Sequence, residues 1–416
     1  MKKFTALLLA LAMVFALAAC GSKTETASPA ASDNAAKTDA SAVKIGMVLV
    51  GDENVGYDSA HIEGIKAAAK ACGIADDQII WKYNVEENEK CADAIDDLVS
   101  QGCKYVFSDS YGHQSYMQDA ASKNPDVTFV ALTGDTAAVS GLKNFKNAFN
   151  FTFESRYVSG VVAGMKLKEL VDAGKIADAN KDANGNIKIG YVGAFNYAEV
   201  VSGYTAFYLG VKSIVNNVVM DVQYTNSWYD PTAEGEVAKK LVASGDVIIS
   251  QHADSTGAPS ACEELNKSGK TVYCVGYNVD MLSVAPTAAL TSAQNNWSVY
   301  YTYAFKAILA GEELKTDWSA GYDQNAVMIS KLGSSCAQGT DAKVKEVETA
   351  LKDGSLKVFD CSKFTVGGQT LTSYTKAYGM NNQECIKDGA FEESTLRSAP
   401  YFDIRIDGIT ELNGKS

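Results

Sequence analysis

Histidine is scarce in this chain: His61, His113 and His252 are the only three in 416 residues, and none stands with a second ligand type in a recognisable metal motif. Nine cysteines are present, yet no two are spaced as CxxC. Both gaps argue against a structural zinc site, so no metal and no cofactor is expected. A GxSxG elbow, an HExxH helix and a phosphate-binding loop are missing too, and no histidine is paired with an acid for proton transfer. A carboxylate pair such as Asp52 and Asp58 leaves nucleoside hydrolysis only as a remote alternative. The expectation is a protein that is not an enzyme. Basic residues are outnumbered, 37 against 50 acidic for a net charge of −13, and no Lys/Arg stripe exists to track phosphates. Nucleic acid is therefore not an expected partner.

Long apolar runs are also lacking, apart from the N-terminus. Residues 1–20, MKKFTALLLALAMVFALAAC, carry two lysines, an apolar run from Phe4 to Ala19 and small residues before Cys20. That run is shorter than the ~20 residues a membrane span needs, and its layout is that of a secretory signal. Leu17-Ala18-Ala19-Cys20 resembles a bacterial lipobox, which implies a signal peptide over 1–19, cleavage before Cys20, and lipid on that cysteine holding the protein to the outer face of the cell membrane. Residues 20–42, rich in Ala, Ser, Thr and Asp and without an aromatic, are expected to be a flexible tether.

Eight cysteines remain, most of them in apolar helix or strand patterns that suit buried thiols. Cys361 and Cys385 fall in a segment of little regular pattern and are the preferred candidates for a disulfide, which export would permit.

From Val43 onward, branched apolar runs alternate with helical spacings. Strands are expected at 43–50, 78–83, 105–109 and 128–133, separated by helices, and a second such series runs from Lys188 to Val275. Strands alternating with helices at this spacing indicate parallel sheets with helices on both faces, so two doubly wound α/β lobes are expected. The stretch 271–301 stands out. An apolar run to Val275 breaks at Gly276 into Tyr277, Asn278 and Asp280, and a second run, 288–292, leads into Gln294, Asn295, Asn296 and Trp297. Ligands in open α/β folds bind beyond the carboxyl ends of strands.

Several motifs then carry a resemblance: 154–164 ESRYVSGVVAG, 189–200 IGYVGAFNYAEV, 227–231 SWYDP, 251–254 QHAD, 276–281 GYNVDM and 290–297 LTSAQNNW. In order and spacing they resemble the basic membrane protein, or PnrA-like, family of substrate-binding lipoproteins of ABC importers for purines or purine nucleosides. The resemblance implies a type I periplasmic-binding-protein fold with three crossovers, with 43–151 plus 280–311 in an N-terminal lobe and 152–279 plus 312–416 in a C-terminal lobe. It also implies permease and ATPase subunits as partners and a monomer that closes on its ligand. An importer component for a sugar or amino acid, or a surface receptor presenting its ligand, is the alternative.

By the same resemblance, Asp52 and Tyr57 match an acid and a stacking aromatic in the first loop, with Asp58 where Asn is common. Phe195 stands where a second aromatic is presented, and Asp280 where a second acid is. Ser110, Tyr111, Trp228, Asp254 and Asn278 follow strand ends and are expected to line the cleft, with His252 as a hydrogen-bonded wall residue. Trp297 matches one branch of the family, against either ligand or hinge. Thr133 and Asn295 replace an acid and a lysine that hold the sugar in nucleoside-binding members, so a free base is expected to bind more tightly than its nucleoside.

Overall fold

In a computed structural model, residues 43–376, 380 and 382–414 are described. The signal, Cys20 and the tether lie outside these residues. Two sheets organise the chain. The first takes β1 (Ile45–Val48), β2 (Ile79–Lys82), β3 (Tyr105–Ser108), β4 (Thr128–Leu132) and β5 (Phe145–Asn150), all parallel. The second takes β6 (Ile187–Gly193), β7 (Val218–Tyr224), β8 (Ile248–Gln251), β9 (Tyr273–Tyr277) and β10 (Ala289–Asn295), also parallel. β11 (Asp317–Ala320) then returns to the edge of the first sheet beside β5, and β12 (Val327–Ile329) to the second, antiparallel to β10. A short strand, Ile409–Glu411, extends the second sheet beside β7.

The apolar runs read from the sequence are continuous because these strands are covered on both faces. In the first lobe α1 (Gly56–Cys72) packs one face, α2 (Glu89–Ser100) and α3 (Gln114–Lys123) the other. After the four-residue helix α4 (Ala137–Ser140), α5 (Thr152–Asp172) and α6 (Ala198–Lys212) cover one face of the second sheet. Helices α7 (Pro231–Ala243) and α8 (Gly257–Lys267) cover the opposite face. The small residues of α5 serve the α5–α6 contact. A Cβ on Gly160 would lie 2.2 Å from the carbonyl of Phe207, and one on Gly210 equally close to that of Tyr157, so the two backbones touch.

The chain passes between lobes at 150–152, 295–297 and 320–327, which makes three crossovers. Their positions correct the expected lobe boundaries. β10, expected in the N-terminal lobe, pairs in parallel with β9, Ala293 opposite Tyr277, so the second sheet runs on to Asn295. Only α9 (Trp297–Ala310) then joins the first lobe, packing on α1, and β11 follows it there and not into the C-terminal lobe. The physical reason is burial: β10 has an apolar neighbour on either side, and its small residues reveal no lobe preference of their own. Helix α10 (Thr340–Lys352) and the aromatic residues Phe359, Phe364, Phe391, Tyr401 and Phe402 complete the second core.

The disulfide expected between Cys361 and Cys385 is not formed. Both are buried free thiols, with Sγ turned toward the carbonyls of Phe359 and Gln383 respectively. Aromatic packing holds this segment where a covalent bridge was expected.

Candidate ligand-binding site

The carboxyl ends of the strands in both sheets open on one cavity, with about 630 Å³ of empty space, part of it open to solvent. From the first lobe come the loop after β1 (Val50, Gly51, Val55), Tyr57 and Asp58 at the head of α1, Asp109 to Tyr111 after β3, and Thr133 after β4. The second lobe supplies Glu199 at the head of α6, Trp228 and Tyr229 after β7, His252 and Asp254 after β8, and Tyr277 at the end of β9. The lobes approach closely at one side, where a Cβ on Gly56 would lie 3.1 Å from the carbonyl of Asp254.

On the first-lobe wall, Asp58 and Asp109 face each other. Oδ1 of Asp58 accepts from the Gly51 N–H at 2.6 Å, and Oδ1 of Asp109 from the Val50 N–H at 3.1 Å. Each Oδ2 is without another partner among the described residues. Burial pushes both carboxyls up, Asp109 well above the usual range with the Asp58 charge adding to it. Two carboxyls so placed disfavour ionising together, which raises the affinity of the pair for a proton. Tyr57 completes this wall, its hydroxyl donating to the Asp109 carbonyl at 2.6 Å and its ring edge-on to His61.

The second-lobe wall has its own buried acid. Asp254 Oδ1 accepts from Asn278 Nδ2 at 2.6 Å, and burial holds its carboxyl well above the usual range. His252 bridges Glu199 (3.2 Å) and the Tyr191 hydroxyl (3.3 Å), and burial depresses it to about 4, which keeps it neutral at pH 7. Arg156 sits behind this wall, its guanidinium 3.6 Å from the centre of the Tyr277 ring and bonded to the Gln251 carbonyl. The cation is thus screened from the cavity by an aromatic face. Tyr277 Oη has no partner among the described residues, leaving it open to one.

Of the expected residues, Tyr57, Asp58, Ser110, Tyr111, Trp228 and Asp254 line the cavity. Others do not. Asp52 turns into its own loop, accepting from the backbone and side chain of Asn54 and from Asn84; these bonds hold its carboxyl below the usual range. Asp280 is exposed and caps the Leu282 N–H at 2.8 Å. Both are acids consumed by turns, and Asp58 and Asp254 supply the carboxyls in their place. Asn278 stands behind Asp254, at φ 61°. Asn295 accepts from Thr152 at 2.8 Å in the crossover. Trp297 is buried with its ring stacked 4.0 Å from His61, under Tyr57. Phe195 packs on Trp228 at 5.1 Å and on Tyr197 at 5.2 Å, one layer behind the lining.

Asp109, Glu199 and Tyr229 line the cavity without having been expected there, and Arg156, behind the wall, was not expected either. Asp109 ends an apolar strand, and a carboxylate there at a strand's carboxyl end was the available signal. Thr133 holds φ 62°, a left-handed backbone rarely adopted by a β-branched residue. Such strain, on the order of 1–3 kcal/mol, gathers at ligand sites.

A family profile described as "ABC transporter substrate-binding protein PnrA-like" matches residues 42–358. The chain is 28% identical over 349 residues to a purine-binding protein of Brucella abortus, covering 82% of this chain and 91% of that one. It is also 28% identical, over 43% of its length and 47% of the relative, to an ABC transporter nucleoside-binding protein of Lactococcus lactis. Among solved structures, an ABC transporter solute-binding protein from Aeropyrum pernix superposes with a TM-score of 0.64 at 15% identity, over 76% of this chain and 93% of the other. That last likeness concerns the fold alone.

Proposed function

The chain belongs to the PnrA-like family of ABC transporter substrate-binding proteins, and from that premise we propose that it captures a purine base between its lobes and delivers it to a permease driven by an ATPase. One observation carries the ligand class: three buried acids, Asp58, Asp109 and Asp254, face a single cavity from opposite lobes among the rings of Tyr57, Trp228 and Tyr277. A purine offers flat faces for the rings and several N–H groups at its edge. Carboxyls kept partly protonated can accept from those N–H groups or donate to ring nitrogens. The purine-binding relative supports the same class.

An amino acid fits this lining less well. Its carboxylate needs a cation, and Arg156 is held behind Tyr277. A ligand gripped by both walls favours the closed form by its differential affinity, so capture proceeds by lobe closure. The protein acts as a monomer outside the cytoplasm, held to the membrane by lipid on Cys20; the Leu-Ala-Ala-Cys sequence supports this anchor. No helix among the described residues is long and apolar enough to cross a membrane.

A thermal-shift panel of adenine, hypoxanthine, adenosine, glucose and glutamate tests the class, since a ligand bound only by the folded form raises Tm. Adenine or hypoxanthine should raise it. A rise with glucose or glutamate and none with any purine would remove the proposal.

A further inference from the structure

The family match ends at residue 358, but the chain beyond it is not a tail. Tyr401, Phe402, Ile404 and Ile406 are buried in the second core, and Ile409–Glu411 is a strand of the second sheet. Between Phe391 and Tyr401, however, the segment touches the first lobe. The Ser319 hydroxyl, on β11, donates to the Ser394 carbonyl at 3.2 Å, and the Ser398 N–H donates to Asp317, also on β11, at 2.9 Å. Arg397 Nη1 lies 3.2 Å from Oδ2 of Asp135, in the loop after β4. Both side chains are almost wholly buried.

That same Oδ2 of Asp135 accepts from the Tyr111 hydroxyl at 3.4 Å, so the pair reaches a residue of the cavity wall. Further along, Arg405 does the corresponding thing in the second lobe. Its Nη2 donates to Asn196, in the loop carrying Phe195 and Tyr197, while its Nε is held 3.1 Å from Glu411. Glu411 is itself fixed by the hydroxyls of Tyr204 and Tyr224, at 2.7 and 2.6 Å. The two outputs meet. Tyr111 from one lobe and Tyr197 from the other lie with ring centroids 6.2 Å apart, each partly exposed. Tyr111 lines the cavity, and Tyr197 stacks on Phe195, which packs on the cavity residue Trp228.

We infer that the C-terminal segment 393–413 sets the mouth of the cleft, with Arg397 and Arg405 as positioning residues that hold Tyr111 and Tyr197 together across it. The three crossovers fix how the lobes hinge, whereas this segment fixes where their rims meet. Guanidinium groups suit the task because each is planar and offers several donors at once: Arg397 also binds the carbonyls of Ala399 and Pro400, and Arg405 that of Asp403. A ligand behind the ring pair leaves only when the pair parts. The inference rests on the proposed purine site for what lies behind the mouth, but the mouth itself can be tested without ligand.

The test is hydrogen–deuterium exchange on the full ligand-free chain. In Arg397→Gln, amides of 110–113 and 134–136 should exchange about tenfold faster, the loss of roughly one charged hydrogen bond, while 194–199 stays unchanged. Arg405→Gln should reverse that pattern, and Arg397→Lys, which keeps the charge but not the planar fork, should restore only part of the protection. Arg405 is partly exposed, so this arm stands even if Arg397→Gln fails to fold. With adenine as probe, stopped-flow should show faster release in both Gln variants at an association rate within twofold of wild type. Unchanged exchange at both loops, or acceleration spread evenly over the chain, overturns the inference. Failure of adenine to bind wild type would count against the proposed ligand and leave the exchange result to decide the mouth.

Discussion

The hydroxyl of Tyr57 donates to the backbone carbonyl of Asp109 at 2.6 Å, joining the head of α1 to the carboxyl end of β3 across the first-lobe wall. A ring of the cavity wall is thereby fixed by the backbone of a residue whose acid lines the same cavity. Trp297, behind it, meets the Tyr57 ring edge-on at 6.4 Å but is buried beneath the wall.

Truncating these two rings should therefore have different effects. Tyr57→Ala should weaken adenine binding by about 1–3 kcal/mol, the worth of stacking a base on an aromatic, with a modest loss of stability. Trp297→Ala should cost about 3–5 kcal/mol of stability as a large core truncation and shift affinity less. Tyr57→Phe, keeping the ring, should fall between wild type and Tyr57→Ala. Calorimetry alongside urea denaturation separates the two. Tyr57→Ala binding within threefold of wild type would mean the ligand does not stack there.

The acids divide in the same way. Asp52 and Asp280 are engaged by their own turns, so Asp52→Asn and Asp280→Asn should leave adenine affinity within about twofold, as expected of surface changes. Asp254→Ala removes a buried hydrogen-bonding carboxyl at the cavity, raised by burial toward its neutral form, and should cost roughly 0.5–1.5 kcal/mol of binding, the range for an ordinary hydrogen bond. Equal effects from all three in calorimetry would show that the cleft is misassigned.

These acids also mark how far the sequence carried. Alternating apolar strands and helical spacings were enough to place two doubly wound lobes, because backbone burial is written in long periodic runs. Which lobe owns β10 was not legible, since Ala289, Ser292 and Ala293 suit any buried strand. The site was half legible. Position after a strand end pointed to Ser110, Tyr111 and Asp254, which line the cavity, but it could not separate Asp52 from Asp58 within one loop. That choice depends on side-chain direction: Asp52 caps Asn54, whereas Asp58 lies on the first turn of α1 with Gly51 close enough to donate to it. A Cβ at position 51 would stand 2.9 Å from the Asp58 carboxyl. Arg156 could not be assigned from sequence either, because only the fold brings α5 beneath β9.

Asp246 offers a pH test away from the cleft. It is buried, both carboxyl oxygens lack a hydrogen-bond partner among the described residues, and burial with the nearby Asp221 charge pushes it up to about 8. An unfolded Asp loses its proton near 3.9. Between these values the folded state binds one proton more than the unfolded state, so this group's contribution to stability is present below pH ~4 and is lost as pH rises toward 8, at up to about 1.4 kcal/mol per pH unit. Asp246→Asn should remove that slope and be more stable than wild type at pH 8. Denaturation at pH 5 and pH 8 checks this; equal pH dependence in the two proteins would place the Asp246 titration elsewhere.

The proposed preference for a base over its nucleoside turns on Thr133. It lines the cavity, but its hydroxyl is already bonded to the Leu132 carbonyl at 2.5 Å, so it offers a sugar hydroxyl no charged acceptor. Asn295, the other position linked to sugar binding, is committed to Thr152 in the crossover and does not face the cavity. Adenine is therefore expected to bind at least about tenfold more tightly than adenosine, the worth of one charge-assisted hydrogen bond withheld from the ribose. Thr133→Asp should narrow that ratio from the adenosine side. It places a carboxylate at the cavity, and Asp accepts the left-handed backbone of position 133 more readily than a β-branched residue. The new carboxylate is buried close to Asp109 and costs some stability, so urea denaturation run alongside keeps a change in affinity interpretable. Calorimetry with both ligands on both proteins decides it: adenosine binding wild type as tightly as adenine would sink the base preference, and an unchanged ratio in Thr133→Asp would show that the sugar does not point toward β4.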